Sequence, residues 1–210
     1  MNRRAMTKPP APRFILPALL LLTAPLALAG CEQRETPPLA GAAIGGAFTL
    51  ADKTGKAVRW ADFTGKWRIV YFGYTYCPDA CPTDVGVMMR GFDRFAKEHP
   101  DLAAEVQPIF ITIDPAHDTP ARVGEFAAAF SSPGAKNGLL GLTGTPAQVD
   151  QAAKVFAAYY ARGKDQPGGG YLMDHSRVAY LMDRDGKPIA MLPVDKDDRA
   201  VAAELAKWVR

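Results

Sequence analysis

The residues best suited to chemistry in this chain are two cysteines, Cys77 and Cys81, with three residues between them. A proline follows each of them, and proline disfavours helical backbone in the residue that precedes it. We therefore expect a helix to begin at Pro82, with Cys81 as its N-cap and Cys77 on the loop above it. The positive end of the helix dipole would then lower the pKa of both thiols and favour thiolates.

Three uses fit such a pair of thiols. A structural disulfide would close a very short loop and stabilise the protein little. A redox dithiol is the second use, although the usual thioredoxin motif has two residues between its cysteines, not three. A soft metal ion also needs thiolates, but two sulfurs do not complete its coordination sphere, so a third ligand must come from elsewhere in the chain.

The apolar pattern around the cysteines predicts an α/β domain. A buried strand leads into the pair and a helix follows it, which is the sheet edge where α/β folds place their chemistry. The predicted strands are 48–50, 57–60, 68–76, 106–113, 139–142, 178–182 and 189–192, and the predicted helices are 83–98, 120–130, 146–160 and 197–210. This order predicts a thioredoxin-like fold, with an N-terminal β-hairpin and a mixed central sheet flanked by helices. The glycine-rich segment 163–170 is predicted to be a loop.

One of the three histidines in the chain is placed to complete a metal site. His99 lies at the polar end of a helix and is expected on the surface. His117 follows the second buried strand in a turn, where it either modifies the site or is incidental. His175 precedes the strand 178–182, and in a thioredoxin-like fold the segment before this strand faces the cysteines. Two thiolates and one imidazole suit copper, whereas zinc would need a fourth ligand.

The N-terminus predicts export from the cytoplasm. Residues 1–13 hold four basic side chains and no acidic one, and an apolar run, 14–29, follows. This pattern is typical of an export signal, and the apolar run is somewhat short for a membrane-spanning helix of about 20 residues. The run ends in Leu28-Ala29-Gly30-Cys31, which resembles the bacterial lipobox and implies cleavage before Cys31 and a lipid on its thiol. An uncleaved anchor helix is the alternative.

Three segments follow from this interpretation: 1–30 as a lipoprotein-type signal peptide or membrane anchor, 31–46 as a flexible linker, and 47–210 as the folded domain. The domain is then expected on the periplasmic side of the cell envelope. The signal holds four of the 25 basic residues and none of the 22 acidic ones, so the remaining chain has a formal charge of −1. The sequence therefore contains no basic excess that would indicate nucleic-acid binding.

The sequence resembles the Sco/SenC family of copper proteins. The resemblance covers residues 45–208 and rests on three motifs in the same order: residues 71–82 (YFGYTYCPDACP), Asp114-Pro115 with Asp118-Thr119-Pro120, and Asp174-His175-Ser176. It implies a thioredoxin-like fold in which Cys77, Cys81 and His175 bind Cu(I) or Cu(II). It also implies that Asp174 supports the neighbouring histidine or helps a partner to dock.

The resemblance further implies a role as a copper metallochaperone rather than an enzyme. The family serves assembly of the dinuclear CuA centre in subunit II of cytochrome c oxidase, by delivering copper, by reducing the cysteines of the target, or by both. The partners implied are the CuA domain, a copper donor in the envelope and a thiol reductant. A thiol-disulfide oxidoreductase acting on these or other envelope disulfides is the alternative, and a copper sensor or store would use the same three ligands.

Overall fold

The computed structural model describes residues 35–131, 136–167 and 169–210 of the 210-residue chain. The predicted export signal and Cys31 lie outside the described residues, and both stay predictions. Within the described ranges, no helix combines the length and apolar character that a membrane span requires.

Nine strands and five helices make up the described part of the chain. The strands are β1 Thr49–Ala51, β2 Ala57–Arg59, β3 Trp67–Gly73, β4 Val106–Thr112, β5 Leu140–Leu142, β6 Tyr160–Asp165, β7 Tyr171–His175, β8 Ala179–Met182 and β9 Pro188–Leu192. The helices are α1 Ala80–Glu98, α2 Pro100–Ala103, α3 Pro120–Phe130, α4 Pro146–Val155 and α5 Asp198–Trp208. A 3-10 turn, Trp60–Phe63, follows β2.

The central sheet has five strands in the order β5-β4-β3-β8-β9. Strand β3 pairs in parallel with β4 and antiparallel with β8, so the sheet is mixed. Every residue of β3 is buried, which requires packing layers on both faces of the sheet. The predicted α/β fold, with a mixed sheet flanked by helices and a β1–β2 hairpin at its N-terminal end, is therefore confirmed.

Three local predictions were wrong. The helix predicted over 146–160 ends at Val155, because the chain turns at Ala157, which has a positive φ, and Tyr160 already begins β6. Helix α1 begins at Ala80 rather than at Pro82. A proline is tolerated within the first helical turn because the N–H groups there have no partner inside the helix. The segment predicted as a glycine-rich loop contains much of a second hairpin, in which β6 and β7 pair antiparallel as a separate two-stranded sheet. Its turn uses Gly169 and Gly170, which both have positive φ.

The predicted linker is described from residue 35 onward, and part of it contacts the domain. The Leu39 N–H donates to the carbonyl of Ile189, and the Gly45 N–H donates to the carbonyl of Val155. The side chains of Leu39 and Ile44 pack against the core. Thr36–Arg210 accordingly forms one compact unit. The boundary placed between residues 46 and 47 stays a prediction.

Candidate metal centre

The two cysteines lie between the end of β3 and the first turn of α1. Cys77 is on the connecting loop and is half-buried, whereas Cys81 is the second residue of the helix and is buried. Both thiols are free. The backbone N–H of Cys81 has no partner within the helix, and it donates to Cys77 Sγ over 3.2 Å. The N-terminus of α1 therefore stabilises negative charge on Cys77 rather than on the predicted N-cap, Cys81.

Gly73 makes room for the buried sulfur at the end of β3. A Cβ atom at this position would lie 3.1 Å from Cys81 Sγ and 2.9 Å from a ring carbon of Tyr71. Both distances are shorter than ordinary van der Waals contact, so a side chain here would displace the thiol. The glycine is thus required by close packing around the site.

His175 approaches the cysteines from β7, at the base of the second hairpin. Its Nε2 lies 3.2 Å from Cys81 Sγ. Its Nδ1 lies 3.0 Å from the carbonyl oxygen of Ser176, and since a carbonyl only accepts, Nδ1 carries the proton. In the neutral ring, Nε2 then presents its lone pair to the two sulfurs, as a metal-ligating histidine requires. The rings of Tyr71 and Tyr74 meet the imidazole edge to face.

The three predicted ligand atoms converge on one point. Cys77 Sγ, Cys81 Sγ and a ring nitrogen of His175 all lie within 4.8 Å of one another. Metal–sulfur and metal–nitrogen bonds of about 2.0–2.3 Å separate two ligands of one ion by at most about 4.6 Å. Small side-chain movements therefore suffice to place all three atoms on a single ion, and the donor set of two sulfurs and one imidazole suits a soft metal.

The surroundings shift the pKa values of the two thiols in opposite directions. Burial alone would raise the pKa of Cys77, but the hydrogen bonds from the backbone N–H groups of Cys81 and Asp79 outweigh it, and this pKa lies below its ordinary value. Burial raises the pKa of Cys81, and the neighbouring Cys77 and Asp84 raise it further. Burial also lowers the pKa of His175, so the imidazole is neutral at neutral pH. The site therefore combines a half-buried thiol with a lowered pKa, a buried thiol with a raised pKa and a neutral imidazole.

A buried carboxylate, that of Asp84 in the first turns of α1, lies next to the three ligands and was not predicted from the sequence. It is fully buried and accepts hydrogen bonds from Tyr71 Oη (2.9 Å) and from Arg177 Nε and Nη2 (2.8 and 2.5 Å). Arg177 stands two residues after His175, and Asp84 stands three residues after Cys81 on the same face of α1. The ion pair thus links helix α1 to the segment that directly follows the strand carrying His175. The helical spacing from Cys81 was the signal that would have identified Asp84.

A second buried carboxylate, Asp118, holds the loop that carries Cys77. It accepts hydrogen bonds from the backbone N–H of Thr75 (3.0 Å) and from the hydroxyls of Thr75 and Thr112 (2.5 Å each). The carbonyl of Asp118 accepts a bond from the Thr143 hydroxyl at the end of β5. Asp118 therefore links the carboxyl ends of β3, β4 and β5 beneath the site.

The other residues singled out in the sequence take different places. The side chain of Asp174 is exposed and forms no hydrogen bond with the described residues, although its charge acts on the neighbouring His175. His99 lies at the far end of α1, where its ring packs on Phe95. His117 lies in the β4–α3 turn against Tyr76, the residue before Cys77, but it is not one of the converging ligands.

The SCO1/SenC family model matches residues 36–210 of this chain. The mitochondrial protein SCO1 homolog of Homo sapiens is 34% identical over 169 residues, which cover 80% of this chain and 53% of that protein. Protein SenC of Rhodobacter capsulatus is 43% identical over 145 residues, which cover 69% of this chain and 61% of SenC. The chain therefore spans between half and two thirds of the length of these two relatives.

Solved structures share the fold described above. The crystal structure of Arabidopsis thaliana ScoI with copper bound superimposes with a TM-score of 0.70 at 33% identity, over 78% of this chain and 96% of that one. The metal in that relative is the one that the donor set of this chain predicts.

Proposed function

This chain belongs to the SCO1/SenC family, and we propose that it binds one copper ion and delivers it for assembly of the CuA site in subunit II of cytochrome c oxidase. Cys77, Cys81 and His175 are the proposed ligands. The observation that carries the proposal is the convergence of their three ligand atoms within 4.8 Å, with Nε2 of His175 unprotonated and directed at the sulfurs. Family members take part in oxidase assembly, which supports the choice of acceptor.

Three ligands suit a protein that must release its metal. A closed four-coordinate site would favour structural zinc, whereas a three-coordinate site leaves a position at which an incoming ligand can bind. Cys77 is the more exposed of the two cysteines, so an acceptor ligand reaches the ion from its side. Buried Cys81 then retains the ion longest during stepwise exchange. Either Cu(I) or Cu(II) is compatible with two sulfurs and one imidazole.

Direct transfer tests this function. The reduced domain, residues 36–210, is loaded with one copper ion and mixed with the copper-free, reduced CuA domain of subunit II, and copper is measured in each protein after separation. We expect stoichiometric movement to the CuA domain, faster than from a small chelator that holds the same free copper concentration. An acceptor with alkylated cysteines is the control. If copper stays with the donor, or moves no faster than from the chelator, the chaperone proposal is wrong.

The affinity of the site for Cu(I) should rise with pH. Between the lowered pKa of Cys77 and the raised pKa of Cys81, Cys77 is a thiolate and Cys81 a thiol, so one proton leaves per copper bound in that interval. One proton per ion corresponds to a gain of about tenfold in affinity per pH unit. At more acidic pH, where Cys77 is also protonated, the slope should approach about a hundredfold per unit.

Competition with a Cu(I) chelator of known affinity, measured from neutral to alkaline pH, checks this slope. The His175→Ala protein is the control, and it should keep the same slope because the imidazole is already neutral there. Release of two protons per copper above the ordinary thiol pKa would contradict the lowered pKa of Cys77.

The asymmetry of the two thiols also favours a second candidate function, the reduction of disulfides. The Cys77 thiolate would attack a target disulfide and form a mixed disulfide. Cys81 would then attack Cys77 Sγ, release the second target thiol and leave a Cys77–Cys81 disulfide for an external thiol to reduce. This activity needs no metal, so copper-free His175→Ala protein should retain it fully. Copper transfer from Cu(II) protein should instead depend on His175.

The location of the protein is part of the proposal. A lipid on Cys31, after cleavage of residues 1–30, would tether the domain on the periplasmic side of the cell envelope. There it would meet a copper donor and a thiol reductant. Globomycin-sensitive processing and loss of membrane association in a Cys31→Ser protein would support this anchor, whereas processing that Cys31→Ser leaves unchanged would overturn it.

A further inference from the structure

The hairpin that carries His175 has little support of its own. Strands β6 and β7 pair only with each other and add no strand to the central sheet. Every residue of β6 and β7 is exposed or half-buried. A two-stranded hairpin is marginally stable by itself in water, so contacts with the rest of the domain must fix the position of its histidine.

At its outer end, the hairpin is bound to the β4–α3 turn by Tyr171, the first residue of β7. Tyr171 Oη donates to Asp114 Oδ1 over 2.8 Å. The other oxygen of the same carboxylate, Oδ2, lies 2.8 Å from His117 Nδ1, which in turn lies 3.1 Å from Tyr171 Oη. In this cluster of three side chains, the Asp114 carboxylate thus accepts from both of its neighbours, and the two donor atoms lie in contact with each other.

The same cluster reaches the loop that carries the cysteines. The ring of His117 packs against Tyr171 with centroids 5.1 Å apart and against Tyr76 with centroids 5.9 Å apart. Tyr76 directly precedes Cys77. His117 therefore lies between the two segments that carry the ligands. Its neighbour Tyr76 is one residue before Cys77, and its neighbour Tyr171 is four residues before His175.

The base of the cluster is rigid. Asp114 is 5% exposed, and its backbone N–H donates to the hydroxyl of Thr112, which itself donates to buried Asp118. Two arginines pack on the outer side of the cluster, Arg122 on Tyr76 and Arg162 on Tyr171, although Tyr76 is still 54% exposed. The buried base of the cluster therefore provides the fixed point to which the hairpin is attached.

We propose that Asp114, His117, Tyr171 and Tyr76 form a clamp that fixes the hairpin against the cysteine loop and so positions His175 Nε2 on the copper ion. Tyr171 and His117 are positioning residues, because they act on the metal only through the strand that carries His175. The clamp matters most for Cu(II), which relies on the imidazole, and least for Cu(I), which two thiolates can hold. This inference rests on the proposed copper site for its metal-dependent readout.

The decisive variant is Tyr171→Phe, which keeps the ring and removes the hydrogen bond that the hydroxyl donates to Asp114. In the domain of residues 36–210, we expect Cu(II) to dissociate about tenfold faster, in line with the loss of one hydrogen bond to a charged group. The nitrogen hyperfine coupling in the electron paramagnetic resonance spectrum of the Cu(II) protein should weaken, while the Cu(I) affinity stays within about twofold. Tyr159→Phe, which alters an exposed tyrosine just before the same hairpin, is the matched control.

A second pair of variants separates positioning from folding. His117→Ala should reproduce the faster release of Cu(II), and His117→Asn, whose amide can still donate to Asp114, should restore part of the wild-type rate. Amide hydrogen exchange of the copper-free protein should be faster in 171–175 of Tyr171→Phe, with exchange in β3 and β4 unchanged.

These outcomes distinguish the two ideas. If wild-type protein holds no copper, the proposed function fails while hydrogen exchange still tests the clamp. If Tyr171→Phe keeps the wild-type Cu(II) release rate, spectrum and exchange pattern, the clamp is wrong even though copper binds.

Discussion

Replacing either cysteine of the site by serine should abolish retention of Cu(I) by the reduced protein. A serine hydroxyl stays protonated at neutral pH and offers a hard oxygen in place of a soft thiolate. The remaining sulfur and His175 Nε2 would leave the ion with two unlike donors. We expect the affinity to fall by more than the 10–100-fold typical of residues that only support a ligand. Copper that co-purifies with the wild-type domain should be lost on gel filtration of Cys77→Ser or Cys81→Ser.

A hydroxyl placed between the two cysteines provides the control. Ala80→Ser adds the same functional group to the first turn of α1 and leaves both sulfurs in place. It should bind one copper ion as the wild type does. Wild-type affinity in either cysteine variant would show that a different ligand set holds the metal.

Removing the carboxylate of Asp118 should destabilise the whole domain. Asp118→Ala takes the acceptor away from the backbone N–H of Thr75 and from the hydroxyls of Thr75 and Thr112. Hydrogen bonds to a charged group contribute about 1.5–3 kcal/mol each, and relief of the desolvation that raises the pKa of Asp118 offsets part of their loss. We expect the free energy of unfolding to fall by about 3 kcal/mol. Urea denaturation of the copper-free, reduced domain measures it.

The loop that carries Cys77 should respond as well, because Thr75 precedes it by two residues. Copper affinity in Asp118→Ala should drop while the protein still folds, since domains of this size have about 5–15 kcal/mol of stability. Asp118→Asn keeps one oxygen acceptor and should lose less stability than Asp118→Ala. A urea midpoint for Asp118→Ala equal to that of the wild type would refute the role of Asp118 as the link beneath the site.

Local signals in the sequence accounted for most of the elements. Pro120 after Thr119, and Pro146 after Thr145, marked helix starts that the structure confirms, and each threonine caps its helix through its hydroxyl. These signals work because caps and prolines act within one turn of backbone. The same reasoning failed at Pro82, because the helix begins at Ala80 and Pro82 lies in its first turn. A proline there removes no helical hydrogen bond, so the preceding Cys81 can be helical.

The amino-acid sequence was enough to identify the residues that could bind a metal in this protein. A buried strand followed by two cysteines, and a histidine before a later strand, sufficed to predict the fold and to single out Cys77, Cys81 and His175. The ligand atoms of these three residues do converge. Strand β3 leads to the cysteines and pairs with β8, which follows His175, so the sheet brings both segments to one edge.

The residues that surround those ligands became evident from the folded chain. The ion pair of Asp84 and Arg177 joins residues 93 positions apart, and the hydrogen bond between Tyr171 and Asp114 joins residues 57 apart. A local sequence pattern therefore predicts neither contact. The hairpin of β6 and β7 was missed because its sequence is polar and rich in glycine. Its two strands also pair only with each other and not with a strand of the central sheet. Propensity and periodicity report burial along one segment, whereas hydrogen bonds between distant segments depend on how the whole chain packs.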